Sequence, residues 1–357
     1  MRGHIERVRE VLESKKIDAI VILNYPFIDK MFFYLTDLQS GIFEGSFIIL
    51  TRDDIVLYTS KLEEKTARKQ VKFEVKTIEN KIIDVLKKEL SKFKKVGLNL
   101  SILPVKTYNQ LKGVAEFVDV SKELMDIRSI KDDKEIARIK KAIEISELAL
   151  KETIETIDIR KMTELEIAAE LEYRCRKNGA EGFAFETIVA ADENSADPHY
   201  KTGNNNKKPT RILLIDFGVK YKGYVSDVTR TFLIGKPDDK LKKMYEIAYD
   251  AQQKALNVIR DGVEAKYVDA QARELIVKHY GEFIHGLGHM IGLDVHEGYS
   301  LNQKADWILK ENQVFTVEPG IYIQGFGGVR IEDDVVVRKD GVEILSSFPK
   351  KIDEMIL

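Results

Sequence analysis

The chain has 357 residues, and 57 Lys and Arg against 59 Asp and Glu leave a formal net charge of −2. This length favours two domains with sizeable cores, and the balanced charge excludes the basic surface by which proteins bind nucleic acid or anionic membranes. The single cysteine, Cys175, excludes a disulfide framework, and the lack of an apolar leader or a membrane-length apolar run leads us to expect a cytoplasmic protein.

Hydrophobic periodicity predicts an α/β domain in the first third of the chain. Residues 4–16 carry apolar side chains at helical spacing, and residues 19–23 form the continuous apolar run of a buried strand. A hairpin is predicted around residues 52–54. We place this domain at residues 1–124 and expect a linker at residues 121–130. The other predicted elements are strands at 45–50, 55–58 and 96–100 and helices at 62–69 and 81–93.

The second predicted domain, residues 125–357, contains an order of elements that occurs twice. In each half, two helices are followed by a histidine-containing segment and then by an acidic hairpin, with an offset of about 100 residues. This order indicates a duplicated unit with pseudo-twofold symmetry and a functional site where its halves meet. The predicted helices are residues 131–156, 162–177, 237–259 and 264–279.

The first acidic hairpin carries Asp216 and Asp227 on arms rich in apolar β-forming residues. Residues 220–223 are typical of a turn, and the midpoint between the two aspartates falls inside it. A hairpin without a bulge would therefore set the two carboxylates directly opposite each other, with Cβ atoms roughly 5 Å apart.

The second acidic hairpin repeats the arrangement with Glu318 and Glu332, whose midpoint is Gly325. Like charges opposite each other destabilise a sheet. Two such pairs in one domain therefore require a neutralising partner, and a pair of divalent cations would supply it.

Histidines cluster between the two hairpins. The chain has six histidines; His285, His289 and His296 lie in one short segment, and His199 shortly precedes the first hairpin. Although a single aspartate or histidine is most often structural, two acidic pairs and four histidines in one half of the chain favour a metal site. Carboxylates with a minority of imidazole suit Mn, Co or Zn.

Five segments resemble the metallopeptidase family that includes methionine aminopeptidase, aminopeptidase P, prolidase and creatinase. They are I-D-F-G, S-D-V-T-R-T, G-L-G-H-M-I-G-L-D-V-H-E, T-V-E-P-G-I-Y and G-V-R-I-E-D, in the order and spacing of that family. The resemblance implies an α+β protein in which a creatinase-type N-terminal α/β domain precedes a catalytic "pita-bread" domain. An N-terminal domain of this size is typical of the proline-specific branch.

The resemblance also implies a role for each candidate residue. Glu318 is expected to act as a base toward water as well as a ligand, and His199 and His296 are expected to bind substrate and stabilise the tetrahedral intermediate. His285 is expected to line the substrate pocket, and Tyr322 and Arg330 to support Asp216. The expected ligands of two divalent ions are Asp216, Asp227, His289, Glu318 and Glu332.

The implied activity is hydrolysis of Xaa-Pro peptide bonds in small peptides, with a homodimer as the expected assembly. Ser300 lies where many dipeptidases of the family have an arginine for the substrate carboxylate, so an aminopeptidase acting on longer peptides is the alternative. Tyr200 and Met290 replace common glycines, and Met290 is expected to crowd the site. A creatinase-like hydrolase and a non-catalytic binding module are remote alternatives, because the expected ligand set is complete.

Overall fold

The structure is a computed structural model that describes residues 2–357. The chain divides into two compact units, Met1–Arg128 and Ser129–Leu357. Among the described residues, no helix combines the length and the apolar character needed to cross a membrane.

The first unit contains one mixed six-stranded sheet in the order β4-β3-β2-β1-β5-β6. Strand β1 is buried along its whole length, as its apolar run predicts, because it lies between antiparallel β2 and parallel β5. The helices are α1 (Arg2–Lys15), α2 (Lys30–Thr36), α3 (Glu64–Gln70), α4 (Ile82–Leu90), α5 (Val105–Leu111) and α6 (Ser121–Ser129). The strands are β1 (Ala19–Asn24), β2 (Ser46–Thr51), β3 (Ile55–Thr59), β4 (Glu74–Thr77), β5 (Lys95–Leu98) and β6 (Glu116–Asp119).

The α/β character and the hairpin of the first unit are confirmed. The boundary between the two units falls within the predicted linker at residues 121–130, but this segment is helical. Residues 121–129 form α6, which carries Glu123 in its first turn and Arg128 in its last. Charges of this sign at these ends favour a helix through its dipole. Helices α2 and α5 were not predicted, since seven residues are too few to display a helical period.

The second unit contains four α-helices, two 3-10 helices and thirteen short strands among its residues 129–357. Side chains of Asp132, Thr163 and Asp238 cap the first three of these α-helices, which explains why their starts were predictable. The α-helices are α7 (Asp133–Thr156), α8 (Glu164–Lys177), α9 (Asp239–Leu256) and α10 (Ala265–Tyr280). The strands are β7 (Gly182–Phe183), β8 (Ile188–Ala191), β9 (Ile212–Phe217), β10 (Val219–Tyr221), β11 (Tyr224–Val225), β12 (Val228–Leu233), β13 (Gly288–His289), β14 (Ser300–Leu301), β15 (Val314–Val317), β16 (Gly320–Ile323), β17 (Gly327–Arg330), β18 (Asp333–Arg338) and β19 (Gly341–Ile344).

The predicted order of elements occurs twice in this unit. Helices α7 and α8 pack together and precede the first acidic hairpin, and α9 and α10 pack together and precede the second. Strands β12, β9 and β8 form one sheet, and β15, β18 and β19 form its counterpart. Hydrophobic side chains from both halves share one core, which holds the two hairpins in place.

The glutamate hairpin has the predicted register. Val317 pairs with Asp333 on one side of the pair and Gly320 pairs with Arg330 on the other, so Glu318 lies opposite Glu332. The glutamates therefore meet directly across the hairpin, as their midpoint at Gly325 predicts.

The aspartate hairpin has a different register from the one predicted. Asp216 pairs with Thr229, and the same register places Asp227 opposite Gly218. The reason is the turn: Lys220 and Tyr221 belong to β10, and only Lys222 and Gly223 turn, with φ of 48° and 81°. The two aspartates are consequently diagonal neighbours on one face, a relation in which residues lie about 7–8 Å apart.

Candidate active site

A cavity of about 820 Å³ opens in the second unit where the two acidic hairpins approach each other. Its wall combines side chains from both hairpins with the histidines that precede each of them. The candidate residues that line it are Asp216, Asp227, Glu318, Glu332, His199, His285, His289, His296, Tyr322 and Arg330. The cavity therefore brings together every candidate side chain selected from the sequence.

The two hairpins are hydrogen-bonded to each other beneath the cavity. The Thr229 hydroxyl donates to Glu332 Oε2 at 2.6 Å, and the Glu332 backbone N–H donates to the Thr229 carbonyl oxygen at 3.2 Å. The Asp227 backbone N–H donates to Asp334 Oδ2 at 3.0 Å. These contacts fix the distance between the aspartate and glutamate pairs without neutralising them.

Burial and mutual repulsion raise the pKa of three of these carboxyl groups. Burial, and then the negative charges of Glu332 and Asp216, raise the pKa of Asp227 well above its usual range. Burial and the neighbouring Glu318 and Asp216 do the same to the pKa of Glu332. Burial raises the pKa of Glu318 to about 8, against the opposing effect of the Arg330 guanidinium. The acidic cluster is therefore costly to ionise by itself.

His289 projects from β13 into this cluster. Its Nε2 lies 3.4 Å from Glu318 Oε1 and 3.6 Å from Asp227 Oδ2. Burial, and then the neighbouring His296, lower the pKa of His289 to about 4, so the ring is neutral at neutral pH. A neutral imidazole cannot act as a counter-ion to these carboxylates, but it has a lone pair that a metal ion can accept.

The donor set fits divalent cations. Asp227, His289 and Glu332 each offer a ligand atom, and these atoms lie within 4.8 Å of one another. Within residues 2–357, the buried Oδ1 of Asp216 has no hydrogen-bond partner, although Oδ2 of the same carboxylate accepts from Arg330. An unpaired buried carboxylate oxygen facing other carboxylates is an oxygen donor suited to a hard or borderline cation.

Arg330 and Tyr322 support Asp216 from the glutamate hairpin. The Arg330 guanidinium donates from Nη2 to Asp216 Oδ2 at 2.5 Å, from Nη1 to the Tyr322 hydroxyl at 2.8 Å and from Nε to Thr229 Oγ1 at 3.1 Å. Arg330 is buried, so its guanidinium is not a surface charge. Burial raises the pKa of Tyr322 to about 12, which keeps its hydroxyl protonated.

The other three histidines surround the acidic cluster. The rings of His296 and His289 have centroids 4.2 Å apart, while His199 and His296 are exposed in the cavity wall. His285 Nε2 lies 3.1 Å from the Tyr322 hydroxyl, and burial lowers the pKa of this imidazole to about 4. A ring N–H at any of these positions can donate a hydrogen bond to a substrate oxygen.

Two departures from the family pattern have structural explanations. Met290 is fully buried in the hydrophobic core and does not line the cavity, so the expectation that it crowds the site is wrong. The Tyr200 hydroxyl donates to Glu164 Oε2 at 2.8 Å and accepts from the Asn205 backbone N–H at 2.9 Å. Tyr200 thereby attaches the segment that follows His199 to the start of α8.

Several residues that support the site were not predicted. The Thr316 hydroxyl donates to Glu318 Oε1 at 3.2 Å and accepts from the His289 backbone N–H at 3.0 Å. Glu297 accepts from the Leu293 backbone N–H at 2.9 Å and forms a buried ion pair with Lys131 at 3.1 Å, which orders the loop that carries His296. Glu297 directly follows a candidate histidine, but no local pattern links Lys131 to it across the chain.

The fold and the site define the class of protein. The profile of metallopeptidase family M24 matches residues 137–339, and the profile of the creatinase/prolidase N-terminal domain matches residues 4–130. The chain belongs to metallopeptidase family M24, and the predicted combination of a creatinase-type domain with a pita-bread catalytic domain is confirmed.

The proteins to which this chain is similar include Xaa-Pro dipeptidases and an X-Pro aminopeptidase. The chain is 36% identical over 357 residues to the Xaa-Pro dipeptidase of Pyrococcus horikoshii, with 99% of both chains covered. Among solved structures, it is similar to an X-Pro aminopeptidase from Thermotoga maritima, with a TM-score of 0.89, 39% identity and 99% of both chains covered. It is also similar to an Xaa-Pro dipeptidase from Bacillus anthracis, with a TM-score of 0.91, 34% identity and coverage of 100% of this chain and 99% of that one.

Proposed function

We propose that the protein is a metal-dependent Xaa-Pro dipeptidase, which hydrolyses the bond before proline in dipeptides. The observation that carries this proposal is the convergence of two acidic pairs and four histidines on one cavity. Full-length similarity to an Xaa-Pro dipeptidase supports the choice of substrate.

The proposed ligands are the four hairpin carboxylates and the imidazole of His289. Five ligand side chains suffice for two divalent ions, with Mn, Co and Zn as the candidates. When bound, such ions polarise the scissile carbonyl and make water a stronger nucleophile near neutral pH. Ionised carboxylates are what the ions require, so metal binding and deprotonation of Glu318 and its neighbours favour each other.

The protein's own groups supply the proton transfers and the orientation of the substrate. Glu318 accepts a proton from the attacking water, because its carboxylate lies in the cluster, with Oε1 3.4 Å from His289 Nε2, and is ionised when metal is bound. His199 and His296 donate hydrogen bonds to the carbonyl oxygen as it gains negative charge. His285 contacts the bound peptide, and Arg330 and Tyr322 hold Asp216 in place.

An Xaa-Pro aminopeptidase is the second candidate. Ser300 lines the cavity and provides no charge for the carboxylate of a dipeptide. A solved structure with 39% identity to this chain is an X-Pro aminopeptidase. A longer peptide continues beyond proline and has no carboxylate at that point, so it would not require a cation there.

The test is hydrolysis of Leu-Pro, Leu-Pro-Ala and Leu-Ala by protein that has been chelated and then supplied with Mn²⁺ or Co²⁺. Faster cleavage of Leu-Pro than of Leu-Pro-Ala supports the dipeptidase, and the opposite preference establishes the aminopeptidase. Leu-Ala is the matched control without proline, and its equal cleavage would refute proline specificity. Metal binding with no cleavage of any of the three peptides would refute both candidates.

We also propose an oligomeric state and a cellular location for the enzyme. We infer a cytoplasmic homodimer, with a creatinase-like domain at residues 1–124 and the catalytic domain at residues 125–357. The buried, unpaired thiol of Cys175 is consistent with a reducing compartment. Light scattering of the metal-loaded protein tests the dimer, since a mass close to the 40.9 kDa of one chain would contradict it.

A further inference from the structure

The segment that follows His199 brings a lysine to the wall of the cavity. Lys201 is exposed and lines the same cavity as the acidic cluster, together with Ser300 and Asn302.

The backbone on both sides of Lys201 is fixed. Tyr200 is buried and bonded to Glu164. On the other side, the Thr202 hydroxyl donates to the Thr187 carbonyl oxygen at 2.8 Å and accepts from the Val189 backbone N–H at 2.8 Å. The lysine stem therefore starts from an ordered position at the edge of the cavity.

The other basic groups of the cavity wall have partners in the site or roles in the proposed reaction. Arg330 is bonded to Asp216, Tyr322 and Thr229, and it is buried. His289 faces Glu318 and Asp227, and His285 contacts the Tyr322 hydroxyl. His199 and His296 are assigned to the carbonyl oxygen of the substrate. Among the cavity residues that the structure describes, Lys201 has an ammonium group with no ion-pair partner.

A dipeptide presents a carboxylate one residue beyond the bond that is cut. We propose that Lys201 is the specificity-determining residue that binds this free C-terminal carboxylate. This inference rests on the proposed dipeptidase function and names the group that would perform the recognition Ser300 cannot. A flexible ammonium on an exposed stem is suited to a charge that enters from the solvent side of a cavity.

The experiment compares two substrates that differ only in this charge, Leu-Pro and Leu-Pro-amide. For Lys201→Met, we expect KM for Leu-Pro to rise about tenfold, the usual effect of losing a hydrogen bond to a charged group. The ratio of kcat/KM for Leu-Pro to that for Leu-Pro-amide should fall by the same factor. Lys201→Arg, which keeps the charge, should restore most of the ratio.

Lys208→Met is the matched control, because Lys208 is exposed on the same connection between β8 and β9 but does not line the cavity. Its ratio should equal that of the unmodified protein. An unchanged ratio in Lys201→Met, or an equal loss on both substrates, would overturn the role of Lys201 while the dipeptidase function stands. If the unmodified protein cuts neither substrate, the proposed function itself fails, and the Lys201 proposal fails with it.

Discussion

The two acidic hairpins present their carboxylates to the same cavity through different registers. In the glutamate hairpin, Glu318 lies opposite Glu332. In the aspartate hairpin, Asp216 lies opposite Thr229, and Asp227 is displaced by two residues along the strand. A displacement of two residues keeps a side chain on the same face of a strand, so both pairs still point into the cavity.

The turns explain the difference. The aspartate hairpin has a two-residue turn in which Lys222 and Gly223 both have positive φ, a geometry typical of type I′ hairpins. The glutamate hairpin connects Ile323 to Gly327 through a three-residue loop that contains Gly325 at φ 73°. Turn length sets the register, whereas the alternation of side chains sets the face. The face of the strand on which a side chain lies can therefore be predicted more reliably than the residue opposite it.

The strongest test of the comparison removes one carboxylate from each hairpin. We expect Asp227→Asn and Glu332→Gln each to lower turnover at least about a hundredfold and to reduce bound metal, because both carboxylates belong to one donor set. Metal content after dialysis and turnover of Leu-Pro are the measurements.

Asp340→Asn is the control for these variants, since Asp340 is exposed in the turn between β18 and β19. It should retain both metal and turnover. Loss of metal from only one of the two carboxylate variants would mean that the hairpins do not share a site.

The raised pKa of Glu318 predicts how the stability of the metal-free protein depends on pH. In metal-free protein, Glu318 has its pKa raised from 4.5 to about 8, so the folded state holds more protons than the unfolded state between these values. Stability is therefore greatest at the acidic end of this window and is lost as pH rises, by on the order of 4 kcal/mol from this group.

Thermal unfolding of chelated protein from pH 6.5 to 8.5 measures this effect, because the lowered pKa values of His285 and His289 change stability only below about pH 6.5. Bound metal should remove most of the slope, so the rise in Tm on adding Mn²⁺ should be larger at pH 8.5 than at pH 6.5. Chelated protein that gains stability across this range would refute the raised carboxyl pKa.

Removing the ion pair between Arg330 and Asp216, which links the two hairpins, should have the next largest effect on stability. Arg330→Met leaves Asp216 as a buried carboxylate without its cation, and we expect a loss of about 3 kcal/mol in chelated protein. The double variant with Asp216→Asn should recover part of this loss, because it removes the unpaired charge. Urea unfolding of the two variants measures both values.

Arg338 is the control for Arg330, because its ion pair is more exposed to solvent. Arg338 pairs with Glu343 where both side chains are about one-third exposed, at 34% and 35%. Arg338→Met should cost less than about 1 kcal/mol. Equal losses of stability in the two variants would mean that the buried ion pair of Arg330 with Asp216 is no stronger than the more exposed pair of Arg338 with Glu343.

The last prediction compares the substitution of one glycine in each hairpin. A Cβ at Gly218 would lie 1.9 Å from the Ser226 carbonyl oxygen, so Gly218→Ala must push the strands apart and should cost about 2 kcal/mol. A Cβ at Gly325 meets no atom within 4 Å. Gly325→Ala should therefore cost only the strain of its positive φ, about 1 kcal/mol.

Urea unfolding and Mn²⁺ affinity distinguish the two variants. Gly218→Ala should also weaken metal binding, because Asp227 lies opposite Gly218 in the register. Gly325→Ala should leave the affinity unchanged. The reverse order of stabilities would mean that the close approach at Gly218 is relieved without displacing Asp227.

Local signals explain which elements were predictable. The cap residues Asp132, Thr163 and Asp238 begin long helices, and the two hairpins have turn residues between apolar arms. The short helix α2 and the helical form of residues 121–129 were missed, because one or two turns of helix show little periodicity. Met290 was misplaced for a different reason, since sequence spacing does not say whether a side chain faces the cavity or the core.

The sequence by itself determined the order of the elements, the two acidic pairs and the histidines near them, because these depend on neighbours along the chain. Only the tertiary structure decided the register of the aspartate hairpin, the burial of Arg330 against Asp216, the pairing of Lys131 with Glu297 and the position of Lys201 on the cavity wall. Each of these depends on packing between segments distant in the chain, where a shift of one or two residues changes which side chains meet.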